Sequence, residues 1–363
     1  MKKICLIMTA LALMVISSGE VWAADKPEIA DLTGRKVRVP ADPERIVCLG
    51  PGCLRLIVYL QALEKVVGVE ALERRPGGRP YYLAHRQTLD GLPVVSPGGP
   101  SAINKKPDLE AILKVKPQVV FVTYMEAGLA DRVQALLNVP VVVLSYGRLA
   151  GFDELIYTSL RLAGKILNRS ARAEAVINYI ESGRADLLKR VDGIPESRKP
   201  SVFIGGIGYR GAHGLESTDS LYIPFNWLKA KNAGAKGSDP RGHVFLDKEK
   251  LLGLQPEVVF IDGGGLKLVR ADYGKKTAFY KALKAFQQRR VHVLFPYNWY
   301  TTNVGTTLAD AYAIGRVLHP GRFRDIDPVS KTDAIYTELV GRPVYKDMEK
   351  IYGPLGAEPG FIN

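Results

Sequence analysis

The chain has 363 residues, 47% of them hydrophobic and 24% charged, with a formal net charge of +13. This is ordinary globular composition at a length that suits two domains, and it excludes a disordered or low-complexity chain. The 50 Lys and Arg are scattered and no nucleic-acid motif accompanies them, so the charge points to an anionic ligand, a negative surface or solubility, and not to nucleic acid.

Lys2 and Lys3 precede an apolar run over 4–16, and Val21-Trp22-Ala23 closes it with a small-x-small pattern. That predicts a secretory signal peptide over 1–23, cleaved after Ala23. The run is shorter than the roughly 20 residues a membrane span needs. Cys5 lies far from the cleavage point, so the expected mature protein is soluble, periplasmic and not lipid-anchored. Loss of 1–23 removes Lys2, Lys3 and Glu20 and leaves +12. Two cysteines remain, Cys48 and Cys53. The compartment permits a disulfide, and two buried thiols are the other reading; without nearby His they make no zinc site.

The next stretch alternates strand and helix. Residues 45–49 are a short apolar strand broken by Gly50-Pro51-Gly52, and 54–63 continue with helical spacing. A strand follows over 66–69. Pro107-Asp108-Leu109-Glu110 opens a helix that ends near Lys116, and 119–122 is a buried strand. Helix 129–137 and strand 141–144 complete the unit. Such alternation predicts a parallel sheet covered on both faces.

The middle is helical. Residues 152–167 carry apolar side chains at helical spacing, and Asn168-Arg169-Ser170 interrupts them. Ser170 is the expected N-cap of a second helix over 171–191, about 30 Å long. A polar boundary over 194–200 follows. Strand 201–204 then ends in Gly205-Gly206, helix 247–252 follows, and Pro256-Glu257-Val258-Val259 echoes Pro117-Gln118-Val119-Val120. Helix 280–287, strand 291–294 and helix 308–318 complete the second half, with a mixed tail from 325. The predicted fold is α/β, with two Rossmann-like lobes of parallel sheet joined by one long helix. Its units are a first lobe over 24–151, a connector over 152–195, and a second lobe with tail over 196–363.

Open α/β sheets gather ligands at the carboxyl ends of their strands. The nominated loops are 50–54, 124–129 and 146–149 in the first lobe, and 205–213, 263–266 and 297–303 in the second. They carry the candidate ligand-binding residues Tyr124, Tyr146, Arg148, Tyr209, Arg210, His213, Tyr297, Trp299 and Tyr300. Flat rings beside a few cationic donors suit a planar or catecholate-like chelate, or an anionic complex. The Pro51-Gly52 turn before a helix is a further place for an oxyanion. The aromatic stretch 215–227 is a cleft wall or an inter-lobe patch. The five His are dispersed, so no bare-metal site is expected, and no cofactor motif stands out. There is no Gly-x-Ser-x-Gly, no carboxylate pair at useful spacing and no phosphate loop, which disfavours an enzyme.

Several motifs, in order, resemble the periplasmic iron-siderophore, haem and cobalamin binding proteins of ABC importers. They are Asp31-Leu32-Thr33-Gly34 followed by Pro43-Glu44-Arg45-Ile46-Val47, Val66-Val67-Gly68-Val69, Pro107-Asp108-Leu109-Glu110 leading to Val122, the segment 279–293, and His319-Pro320 with Phe323. Gln118 stands where that family usually has Asp. The resemblance implies a ligand held between two lobes joined by a rigid helix, and delivery to a membrane permease by a monomer. It implies an iron chelate as cargo, siderophore or haem, with cobalamin or a molybdate- or tungstate-type oxyanion as the alternative. A chelatase-like enzyme is the reading from a different class. The resemblance also implies one acidic docking residue per lobe. Glu126 and Glu249 are the candidates, with Glu70 and Glu73 competing in the first lobe.

Overall fold

The computed structural model describes residues 27–209, 211–235 and 242–362. The expected signal peptide and Arg210 lie outside the described residues. Strands β1 (Glu28–Ala30) and β2 (Lys36–Arg38) form an antiparallel hairpin. Asp31 holds its turn. The carboxylate accepts the Thr33 and Arg35 amides at 3.0 and 3.1 Å and pairs with the Arg35 guanidinium at 2.8 Å. It also accepts the Val143 amide at 3.2 Å, which ties the hairpin to the first sheet.

The first lobe runs β3 (Ile46–Leu49), α1 (Cys53–Tyr59), β4 (Val66–Glu70), α2 (Pro80–Gly91), β5 (Val94–Ser96), α3 (Leu109–Lys114), β6 (Val119–Thr123), α4 (Ala127–Leu137) and β7 (Val141–Leu144). The strands are parallel in the order β5-β4-β3-β6-β7. β3, β6 and β7 are buried at every residue, as unbroken Val-rich runs should be when helices cover both faces. Local chemistry sets the helix ends. Asp108 caps α3 by accepting the Ala111 amide at 3.0 Å, and Asn138 ends α4 in the left-handed conformation.

The connector is α5 (Leu155–Ile166) and α6 (Ser170–Val191). Ser170 is the first helical residue of α6, and the capping position falls to Arg169, one residue earlier than the sequence spacing predicts. At 22 residues α6 spans about 33 Å. Its first half belongs to the first lobe, where Arg172 donates to the Tyr59 carbonyl at 2.9 Å. Its second half belongs to the second lobe. Tyr312 donates to Asp186 at 2.8 Å, and Arg190 grips both oxygens of Asp325 at 2.7 and 2.8 Å.

The second lobe runs β8 (Ser201–Gly205), β9 (Ser217–Asp219), α7 (Ile223–Trp227), β10 (Lys231–Asn232), β11 (His243–Phe245), α8 (Lys248–Leu254), β12 (Val258–Asp262), α9 (Leu266–Lys275), α10 (Thr277–Lys281), α11 (Lys284–Gln287), β13 (Val291–Leu294), α12 (Val304–Leu318), α13 (Pro328–Val340) and α14 (Tyr345–Tyr352). Its parallel sheet has the order β10-β8-β12-β13, and β9 pairs with β11 apart from it. The helix expected over 280–287 is two pieces, because Leu283 turns extended between α10 and α11 to bury its side chain. The aromatic stretch 215–227 becomes β9 and α7. The tail is not confined to the second lobe. His85 on α2 meets the Val340 carbonyl at 2.8 Å, and Arg172 pairs with Glu338 at 2.5 Å. Buried residues of both lobes therefore belong to one continuous core, from Ile46 and Val119 to Phe260 and Leu294.

Candidate functional site

In the first sheet the chain leaves β3 toward β4 on one side, and later leaves β6 toward β7 on the other. The switch point lies between β3 and β6, where opposed connections leave a crevice beyond the strand ends. A cavity of about 200 Å³ sits there. Gly50 follows β3, Glu70 ends β4, Ser96 ends β5 and Thr123 ends β6. The segment 97–108 covers the space with Asn104, Lys105 and Lys106. The corresponding point of the second sheet, between β8 and β12, is shut. A Cβ on Gly265 would lie 2.5 Å from the Gly206 Cα, so two glycines let backbone pack on backbone.

The cavity is lined by first-lobe residues, and the second lobe meets that lining at Glu70. Tyr300 donates to Glu70 Oε2 at 2.7 Å and accepts the Gly99 amide at 3.1 Å. Gly50 donates its amide to Glu70 Oε1 at 3.1 Å. Burial raises the Glu70 carboxyl to about 7, against the opposing pull of these two hydrogen bonds, and the neighbouring Glu73 adds to the rise.

The loop that carries Tyr300 is held in a strained shape. Tyr300 and Thr301 have φ of 51° and 65°. Arg55, wholly buried on α1, supplies the grip. Its Nη1 donates to the Thr302 carbonyl at 2.6 Å and the Thr301 carbonyl at 3.4 Å. Its Nη2 donates to the Trp299 and Tyr300 carbonyls at 2.8 and 3.3 Å. Thr302 Oγ1 donates to the Gly151 carbonyl at 2.7 Å, and the Ala150 amide donates to Thr301 Oγ1 at 3.2 Å. Gly52 has to be glycine. Its φ is +76°, and a Cβ there would stand 2.7 Å from Tyr146 Cζ and 2.8 Å from Thr301 Cγ2.

The structure sorts the candidate residues by where their side chains turn. Tyr300 and Tyr124 join the inter-lobe contact, with the Tyr124 hydroxyl 3.2 Å from Thr301 Oγ1. Trp299 is 38% exposed and lies 5.5 Å from the Arg79 guanidinium. Arg148 crosses from the first lobe to the second, because a Cβ on Gly242 would meet both its Nη1 and Asp219 Oδ1. Tyr146 and Tyr297 do not reach the surface. They are buried, the first donating to the Gly52 carbonyl at 2.9 Å and the second edge-on to Tyr222 at 5.3 Å. Tyr209 and His213 fall in a different group. Tyr209 stacks on His243 at 4.3 Å, and His213 meets Phe245 edge-on at 4.9 Å. Burial, with His213 nearby, lowers His243 to about 4.

Glu126 and Glu249 are exposed, just before α4 and in the first turn of α8. Glu70 and Glu73 are buried and leave the set of docking candidates. Glu73 accepts from the Tyr81 hydroxyl and faces Arg79 and Arg55. Cys48 and Cys53 are free, buried thiols, and burial pushes Cys53 well up. The Pro51-Gly52 turn spends its carbonyls on Thr123 and Tyr146. Among the described residues no group of three or more His, Cys, Asp or Glu is arranged to hold a metal ion, and no helix is long and apolar enough to cross a membrane. Sequence reasoning passed over Arg55 and named Glu70 only as a docking candidate. The signal for Arg55 was one charge inside the apolar run Leu54-Arg55-Leu56-Ile57-Val58.

Two parallel sheets joined by a long helix, with a cavity at the strand ends of the first sheet, have the architecture of a two-lobed solute-binding protein. The chain belongs to the periplasmic binding protein family, whose pattern matches residues 46–294, well over half of it. It is similar to a Bacillus subtilis protein described as an uncharacterized ABC transporter substrate-binding lipoprotein, YvrC. The identity is 23% over 270 residues, 74% of this chain and 78% of that one. It is also similar to the molybdate-binding protein MolA of Haemophilus influenzae, at 22% identity over 88% of this chain and 92% of that one. Among solved structures, MolA bound to molybdate matches with a TM-score of 0.68 at 19% identity, covering 87% of this chain and 98% of that chain. A periplasmic solute-binding protein of Veillonella parvula matches with a TM-score of 0.68 at 20% identity, covering 90% of this chain and 96% of that chain. The protein is a substrate-binding protein of an ABC transporter, with a permease and a small-molecule ligand as its partners.

Proposed function

We propose that the cargo is a compact oxyanion of the molybdate or tungstate type, held in the switch-point cavity and handed to the permease. The carrying observation is the cavity itself, about 200 Å³, with Lys105 and Lys106 in its lining. Drug-sized ligands use about 300–1,000 Å³, so the space suits a small anion better than a siderophore or haem. Burial of Tyr146 and Tyr297 removes two of the rings on which an aromatic chelate would rest. The mature net charge of +12, which is +13 less Lys2 and Lys3 plus Glu20, favours encounter with anions, and the Haemophilus relative binds molybdate. In this reading the chain is exported, cleaved after Ala23 and acts as a periplasmic monomer.

Calorimetric titration of the mature protein with molybdate, tungstate, a ferric catecholate, haem and cobalamin tests the cargo. Saturable binding of molybdate or tungstate is expected, weakened about tenfold when Lys105 and Lys106 are both replaced by Ala. Binding confined to the iron chelates or cobalamin would overturn the reading.

Glu126 and Glu249 are the proposed permease contacts, since both carboxylates are exposed and they stand on different lobes. Charges at such rims set orientation and on-rate. The double variant Glu126→Lys, Glu249→Lys should bind cargo normally and cut transport into permease-containing vesicles by about tenfold or more. Full transport would remove both residues from the docking surface.

A further inference from the structure

The cavity holds a group that opposes an anion: the Glu70 carboxylate, 3% exposed, on its wall. Both of its oxygens accept hydrogen bonds, from the Gly50 amide and the Tyr300 hydroxyl. Neither donor is charged, so nothing in these contacts neutralises an ionised Glu70. The groups facing it come from several elements. Glu73, on the turn after β4, opposes its ionisation. Tyr300, from the second lobe, is pushed far above the ordinary phenol range and stays protonated. Cys53, on α1, is a thiol pushed well up by burial. In the covering segment Lys105 and Lys106 are cationic, and Asp108 is committed to capping α3.

A dianion entering such a site meets an ionised carboxylate in a poorly hydrated space, where like charges repel strongly. A neutral carboxyl instead offers an O–H, the donor that a fully deprotonated oxyanion needs. The group that can adjust is Glu70.

We propose that Glu70 is a ligand-binding residue that works in its protonated form, taking one proton from solvent as the oxyanion enters and returning it when the cargo leaves. This rests on the reading that the cavity is the oxyanion site. The proton moves onto a carboxylate oxygen, the neutral carboxyl donates to the anion, and one negative charge leaves the cavity wall as two arrive. Capture therefore weakens as pH rises above about 7, where free Glu70 is ionised.

The test is calorimetric titration of the mature protein with molybdate near pH 8, in two buffers of different ionisation enthalpy. Molybdate has no titrating proton in that range, so a buffer-dependent heat reports a group on the protein. Uptake of close to one proton is expected. The dissociation constant should rise about tenfold per pH unit above the Glu70 transition. Glu70→Gln keeps the size and a donor but cannot ionise, so the proton uptake should disappear and the pH slope flatten. Equal heats in the two buffers with binding intact would overturn the proton proposal and leave the cavity reading standing. No binding of molybdate or tungstate at any pH would overturn both. The wild-type comparison decides the matter even if the variant folds poorly.

Discussion

Replacing Arg55 by Met is expected to destabilise the protein by about 3–5 kcal/mol and to loosen the contact between the lobes. Arg55 is wholly buried, and its two terminal nitrogens serve four carbonyls of the loop 299–302. Met fills much of the space but donates nothing, so buried carbonyls lose their partners. An unsatisfied buried polar group costs about 1–3 kcal/mol. The loop is the more vulnerable because Tyr300 and Thr301 sit in a backbone region that L-residues avoid. Lys should not rescue the loss, since a single ammonium cannot span four carbonyls as a planar fork does. Urea denaturation and small-angle scattering measure the two effects. A variant with unchanged midpoint and radius of gyration would show that the loop is held by something other than Arg55.

Asp262→Asn should have the opposite effect, raising stability at alkaline pH. Asp262 ends β12 and is wholly buried, and burial pushes its carboxyl up to about 7. In the unfolded chain it titrates near 3.9. Between those values the native state binds more protons than the unfolded state, so stability falls as pH rises through that window, at most about 1.4 kcal/mol per unit. Asn keeps an oxygen for the Gly264 amide, which Asp262 Oδ1 accepts at 2.8 Å, and it cannot ionise. The gain should be on the order of 3 kcal/mol near pH 8 and vanish below pH about 4. Asp310 is also buried and held well above the carboxylate range, first by burial and then by Asp262, so the change relieves it too. A stability difference that does not vary with pH, read from urea midpoints at several pH values, would show that ionisation of Asp262 is not the source.

These two residues mark where sequence reading stopped. Arg55 and Thr301 are 246 residues apart in the chain, and no local pattern joins them. Asp262 ends a continuous apolar strand, so its place is readable, but the burial that raises its carboxyl comes only with the tertiary packing around it. The same limit governs the candidate site. Strand ends nominate loops, and Tyr124, Arg148, Trp299 and Tyr300 do lie where first lobe meets second. Tyr146 and Tyr297 sit at equivalent positions and turn inward, because burying a large ring outweighs leaving it in water. Glu70 reads in sequence as a solvated acid. It is buried because segment 97–108 and Tyr300 close over it.

The sequence by itself determined what local periodicity and punctuation can determine. Unbroken Val-rich runs became buried parallel strands, Asp108 and Asp247 capped the helices they precede, and a 22-residue helix became the link between lobes. Those features depend on backbone geometry and the burial of one face, which a short stretch of chain carries within itself. Tertiary structure alone decided that α13 bridges both lobes, that Arg55 clamps the loop 299–302, and that the cavity opens at one switch point and is shut at the other. Each of these depends on side chains from distant segments arriving in one place, and on which of them the shared core had room to bury.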